Sequence, residues 1–382
     1  MSPGASARAG RRLLPLLAGW AAVVQAEPTA ERRLALDLYA FSQGDEGGDP
    51  YRSEGFTYQA FALDLQLPLA ERAALRANGA LSLIDNGDAT TLPATIDNAF
   101  VVSASPKLLV LDSGIWVDLR PGDGRWTLSP GVYYHHQDGF WSGGLDLSAR
   151  TELFDGNSAL LLTYSFRGAV TRQHRWDQTP RAFDHQLSHK LLTSWTQYLA
   201  RTWVGNLSLE LSHQNGQLGS PLNFVTVYDE SGVPIHLVDE ILPRRRERAQ
   251  LVARVRYSPA VGASVGLDGS GYLDDWGVRH ASAQPNLELP LLGAVRARLW
   301  YRLAVQQGTR FFAGRPLDLP AHRTQDSDLG RFVMHSPGVI VTVPLRPAGS
   351  RLGWIVRLSG YGFYRDDGLY AAGGNLGVEA SW

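Results

Sequence analysis

Arginine recurs at even spacing in two stretches, at Arg254 and Arg256 and again at Arg296, Arg298 and Arg302. Even spacing places side chains on one face of a β-strand, and a face of guanidinium groups attracts carboxylates and phosphates through paired N–H donors. The same parity in neighbouring stretches adds Arg150, Arg167 and Arg357, with Glu152, Asp268 and Glu288 among the carboxylates of those rows. Arg76, Asp64, Asp112, Asp118, Asp146, Glu210 and Glu379 fall in equivalent places. Around an open lumen such rows set ion selectivity and a transverse field. Because the two signs are balanced, a salt-bridged interior that only solvates or partly fills the lumen is the competing expectation. The local excess of arginine over residues 247–258 and 294–306 leans toward anionic solutes.

Other groupings invite chemistry. Arg244, Arg245, Arg246 and Arg248 close a long loop, where they could bind lipopolysaccharide phosphate or line a vestibule for anions. As a solvated rim cluster they would instead pair with Asp239, Glu240 and Glu247. Asp274 and Asp275 beside Trp276 could hold a hard cation or act as acid and base, yet aspartates at a tight turn are first of all turn formers. The pair Asp366-Asp367 before Gly368 repeats that pattern. His185 and His189 share a strand face, and Ser188-His189, Ser212-His213 and Asp184-His185 are the local pairings a hydrolase would use. None stands in a recognisable catalytic context. No catalytic residue, metal ligand or cofactor-binding residue is assigned, and no cofactor is expected.

All these rows presuppose long strands. Between Trp141 and Leu153 one face carries Trp141, Leu145, Leu147, Ala149 and Leu153, and the other Ser142, Asp146, Ser148, Arg150 and Glu152. Residues 281–291 and 294–305 alternate in the same way. The runs are about twice the five or six residues usual in soluble sheets and match the ~9 to 11 that a tilted strand needs to cross a bilayer. Aromatic residues gather near their ends, as at Trp126, Tyr133, Tyr134 and Phe140. The fold predicted is an all-β, antiparallel up-and-down transmembrane barrel of about 16 strands, within a range of roughly 14 to 18. Its longer connections fall near 85–106, 216–246 and 307–330, all at one end, as extracellular loops do.

Composition agrees. The chain has 40 glycines, 11 tryptophans, 14 tyrosines and 13 phenylalanines, a turn-rich and aromatic content suited to closed β structure. It has no cysteine, which removes disulfides, thiolate catalysis and thiolate-bound metal clusters together. A net charge of −1 gives no global field to recruit nucleic acid. Arg8, Arg11 and Arg12 before the apolar run Leu13–Val24 and the small residues around Ala26 predict a cleaved signal peptide over 1–26, with a single barrel domain over 27–382.

Tyr370, Ala372, Gly374, Leu376, Val378, Ala380 and Trp382 make one apolar row ending in a terminal aromatic residue. That row resembles the C-terminal signal by which the barrel-assembly machinery recognises its outer-membrane clients. From Ser220 onward, Ser220-Pro-Leu-Asn-Phe, Leu242-Pro-Arg-Arg-Arg-Glu-Arg, Tyr272-Leu-Asp-Asp-Trp-Gly-Val, Tyr301-Arg-Leu-Ala-Val-Gln-Gln and Asp326-Ser-Asp-Leu-Gly-Arg-Phe follow in order. In these segments the chain resembles the domain of unknown function 3570 family, whose members look like outer-membrane barrels. It departs from the family pattern at Gly269–Gly271, where aromatic or basic residues are more usual. The resemblance implies the barrel and no reaction.

The expected function is therefore a porin-like pathway for small solutes in the bacterial outer membrane, contacting lipid and lipopolysaccharide. A non-conducting structural or export platform that binds a periplasmic or surface protein is the alternative, and an outer-membrane hydrolase a lesser one.

Overall fold

The structure, a computed structural model, describes residues 32–45, 56–85, 107–122, 124–175, 179–219, 223–345 and 352–382. The predicted signal peptide and nearly all of loop 85–106 lie outside the described residues. Within them the chain is β throughout, apart from one 3-10 turn at Ser327–Leu329. In chain order the strands are β1 (Arg33–Asp45), β2 (Phe56–Ala70), β3 (Ala73–Asp85), β4 (Lys107–Leu119), β5 (Trp126–Gln137) and β6 (Phe140–Leu153). There follow β7 (Ser158–His174), β8 (Pro180–Ala200), β9 (Trp203–Gly216), β10 (Phe224–Tyr228), β11 (Pro234–Asp239) and β12 (Arg245–Ala260). The last are β13 (Ala263–Asp274), β14 (Arg279–Pro290), β15 (Arg296–Gln307), β16 (Phe332–Leu345), β17 (Gly353–Arg365) and β18 (Leu369–Ser381).

Sixteen of these close into an antiparallel barrel. Each pairs with its chain neighbour, β9 joins β12 across the excluded hairpin β10–β11, and β18 returns to β1 from Arg33↔Ser381 to Asp45↔Leu369. Arg32 and Trp382 therefore sit at one end of the barrel, together with the short turns 71–72, 154–157, 201–202 and 261–262. The long connections gather at the other, the loop end.

Alternation separates two kinds of surface. Outward rows are apolar and largely exposed: Leu109 is 58% exposed, Leu145 60%, Leu147 57% and Leu358 59%. Such a band suits hydrocarbon as its solvent, and ring closure leaves no unpaired edge inside it, so the barrel is a transmembrane one. Trp126, Trp195, Trp203 and Trp354 edge the band toward the terminal end, and Tyr134 and Tyr364 toward the loop end. Inward rows carry the polar residues. One exception is a buried apolar cluster on the inner wall, where Phe41, Phe56, Tyr58, Ile84, Val110 and Phe363 pack together near the loop ends of β1–β4 and β17.

Two elements differ from expectation. Strand β8, which side-chain alternation marks poorly, begins at Pro180 and runs to Ala200, because Asp184–Gln197 continue a ladder with β7. Its outward face mixes His185, His189 and Thr193 with Leu187, Leu191 and Trp195, so the hydrophobic alternation is diluted although the pairing is regular. The loop predicted over 216–246 contains the hairpin β10–β11. Phe224–Tyr228 are all buried, so that short strand has no alternation to read.

An arginine at the outward centre of β6 tests the membrane placement. Leu147→Arg should cost about 2–4 kcal/mol of folding stability in phospholipid vesicles, read from denaturant unfolding. The same change at its inward neighbour Ser148 should cost less than half as much.

Candidate functional site

The inward polar residues of β12–β15 form one continuous network. Asp268, Asn286 and Gln284 make its buried floor, Gln284 being only 1% exposed. Gln284 donates to Asn286 Oδ1 at 3.1 Å, and Asn286 Nδ2 donates to Asp268 Oδ2 at 3.3 Å. On this floor stand the cations. Arg256 holds Asp268 with two N–H donors at 2.6 and 3.0 Å, Arg302 Nε donates to Gln284 Oε1 at 2.8 Å, and Arg298 donates to Asn286 Oδ1 at 3.2 Å. Arg254 reaches the other way, to Asn206 Oδ1 on β9 at 3.3 Å. Two of the four guanidinium groups thus rest on neutral amides of the floor and a third on Asn206, while Asp268 is the floor's one carboxylate.

The other predicted lumen residues also point inward. Arg296 lies 3.7 Å from Glu288, Arg150 is 3.3 Å from Glu152, and Arg167 grips Asp146 at 2.8 and 2.9 Å while stacking over Tyr133. Arg357 and Arg33 both meet Glu379, at 2.8 and 3.0 Å. Beneath the loop end, the inner face of β12–β15 carries Arg254, Arg256, Arg296, Arg298 and Arg302 against Asp268 and Glu288. The described inner face of β1–β5 reverses the balance, with Asp37, Asp64, Asp112 and Asp118 against Arg33 and Arg76. Strand order puts β4 seven strands from β15 in one direction and nine in the other, so the basic and acidic walls face each other.

The predicted rim residues divide. Arg244 and Arg245 are exposed and paired, Arg244 with Asp184 at 2.7 and 2.9 Å and Arg245 with Glu247. The Asp184 carboxylate raises the Arg244 guanidinium above its ordinary pKa through that hydrogen bond. Arg246, Asp274 and Trp276 are buried instead. Arg246 points inward and donates to Asp274, whose Oδ2 also accepts from the Tyr272 hydroxyl at 2.9 Å; its guanidinium lies 4.2 Å from the Trp276 ring centre. Asp275 Oδ1 accepts from the Glu247 N–H at 3.0 Å. Asp239 and Glu240, expected to pair with this arginine run, turn to other partners. Asp239 meets Arg181, and Glu240 accepts from Thr324 at 2.5 Å and Asn223 at 3.2 Å.

Thr324 and Asn223 belong to a cap built from the described residues 217–219, 223–244 and 308–331. Tyr228 N–H donates to Pro316 O at 3.0 Å, Gln325 donates to Thr226 O at 3.1 Å, and Ile241 bridges Arg323 in both directions at 2.7 and 3.1 Å. Burial lowers the Arg323 pKa, with Asp239 opposing the shift. The cap is fastened to inward side chains of the rim. Arg365 donates to Asp328 at 3.0 Å and to Ser327 O at 2.8 Å, and Gln306 donates to Asp328 O and Gly330 O at 2.7 and 2.8 Å. Thr309 Oγ1 donates to Trp276 O at 2.8 Å. Anchors that point inward place the cap within the mouth.

Among the described residues, the Ser188-His189 and Ser212-His213 pairs are split between the two faces of the wall. His189 and His213 lie side by side on the outer surface, ring centres 6.5 Å apart, with His189 bonded to Tyr164 at 2.8 Å. Ser188 and Ser212 stand on the inner face, because consecutive strand residues point to opposite sides.

The sequence reading missed Gln284, Asn286, Asn206 and the inward Trp300. Neutral amides carry no charge pattern, and only their shared parity with Asp268 and the arginines could have revealed them.

The motifs quoted from β12, the β13–β14 turn and the loop before β16 thus converge on one cap-and-rim assembly. The model of the family described as "Protein of unknown function (DUF3570)" matches residues 123–362, which extends N-terminal to those motifs. The chain belongs to this family. No curated protein matches the sequence. Among solved structures, a bacterial polysaccharide outer membrane secretin is similar at 9% identity and a TM-score of 0.48, covering 91% of this chain and 97% of that one. OpdK of Pseudomonas aeruginosa with vanillate is similar at 11% identity and a TM-score of 0.46, covering 92% and 98%. The siderophore receptor PirA of the same organism gives 9% and 0.42, covering 94% and 81%.

Removing one member of the buried Arg246–Asp274 pair leaves the other charge buried without its partner, which costs about 3–5 kcal/mol. In Asp274→Asn that loss should appear locally, as faster proteolysis within 217–244 and 308–331. The barrel itself should keep its heat-modifiable migration on a denaturing gel.

Proposed function

We propose that the protein is an outer-membrane conduit for small solutes with a preference for anions. The observation that carries this reading is the opposition of a basic wall on β12–β15 to an acidic wall on β1–β5 inside a closed ring of sixteen strands. A ring of that size encloses more space than its side chains fill. Opposed charged walls orient and sort the ions that pass between them. The loop end faces the outside of the cell, by the usual asymmetry of such barrels, and the cap governs entry there. The outward row Tyr370, Leu376, Val378 and Trp382 serves the barrel-assembly machinery during insertion, and the exposed Arg244 and Arg245 meet lipopolysaccharide phosphate.

The cap also favours a second reading, a platform that conducts nothing and offers its loop surface to a partner protein. Planar-bilayer recording separates the two. The full-length barrel should give current steps of stable size whose reversal potential in a KCl gradient has the sign of anion preference. The double change Arg298→Glu with Arg302→Glu should invert that sign. Silence from correctly folded protein, both intact and with 217–244 shortened, would leave the platform standing.

A further inference from the structure

Between Arg298 and Arg302 on β15 stands a third inward side chain, Trp300. It is half-buried, and its ring covers Gly338 of β16, where an added Cβ would come within 2.2 Å of the indole. Register pairs Trp300 with Gly338 on one side and with Asn286, part of the arginine floor, on the other. A flat aromatic plate is thereby set among guanidinium groups. On the facing wall Trp116 of β4 lies in the same way over Gly114 and Gly131, within 2.1 Å of where their Cβ atoms would be, with Arg76 at 6.0 Å from its ring.

We infer that Trp300, Arg298 and Arg302 form a subsite for small carboxylates that carry a ring. The guanidinium groups bind the carboxylate through paired N–H donors, on an inner face that carries five arginines against two carboxylates, Asp268 and Glu288. The indole face covers the apolar side of the ring. Aromatic acids and sugar acids share this chemistry, an apolar ring face beside a carboxylate. The inference rests on the lumen being accessible to solutes, and it names what the conduit prefers.

The test is competition binding to the full-length barrel in detergent, followed by saturation-transfer NMR, with benzoate, glucuronate, acetate and the neutral ring benzamide. At least one ring carboxylate should bind roughly 2- to 10-fold more tightly than acetate, the range expected of one aromatic contact. Whether benzoate or glucuronate is the tighter tells an aromatic from a sugar acid. Benzamide should bind more weakly than benzoate. Trp300→Leu should erase the ring advantage while acetate binding persists, and Arg298→Gln with Arg302→Gln should weaken every carboxylate. Equal binding of acetate and both ring acids to the unaltered protein, which needs no variant to fold, overturns the inference, as does binding of none. So does a Trp300→Leu protein that loses stability yet keeps the ratio, since the indole would then only cover Gly338. Ring-selective binding without conductance would remove the channel and leave the subsite, whereas conductance without ring selectivity would remove the subsite alone.

Discussion

Hydrocarbon offers no partner to a backbone N–H or C=O, and each one left unpaired there costs several kcal/mol. A β-chain meets that constraint only by closing on itself, and the pairing of β18 with β1 along the full length of both strands completes the circuit. Closure then dictates the rest. Once the ring is shut, alternate residues have two destinations, lipid or lumen, and polar groups barred from the first must find one another in the second. The network from Arg302 through Gln284, Asn286 and Asp268 to Arg256 is what four adjacent strands do with their inward polar residues.

The cap obeys a different economy. Its loops lie outside the hydrocarbon but carry a strand whose five residues are all buried, so they must pack against something. They pack on each other and on the inner rim, and the fastening uses charges from which water has been excluded. Arg246 sits between Asp274 and the Trp276 ring, and Arg365 between Asp328, Asp367 and the Phe332 ring. Buried pairs of this kind add little net stability over apolar substitutes, but a mispaired alternative would strand a charge. They fix where the loops go more than how strongly they hold.

Much was legible in the residues. The outward leucines, the inward parity of the charged rows, the strand count and the gathering of long loops at one end all follow from period-two alternation, since a strand cannot point consecutive side chains the same way. The family could be recognised from its motifs before their meeting place was visible. Less legible was anything whose partner is distant in sequence. Arg244, Arg245 and Arg246 look alike as a run. Only the ladder, which turns Arg246 inward beside Asp274 and leaves Arg245 outside with Glu247, distinguishes a fastener from a rim charge.

By itself, then, the sequence determined which face of each strand meets lipid, because that depends on side-chain parity and transfer energy, both local properties. Tertiary structure decided which inward residues became neighbours: that Trp300 lies over Gly338 among arginines, that β4 confronts β15, and that two loops share one cap. Those relations arise from register and ring closure, which join residues far apart along the chain and leave no periodic trace in it.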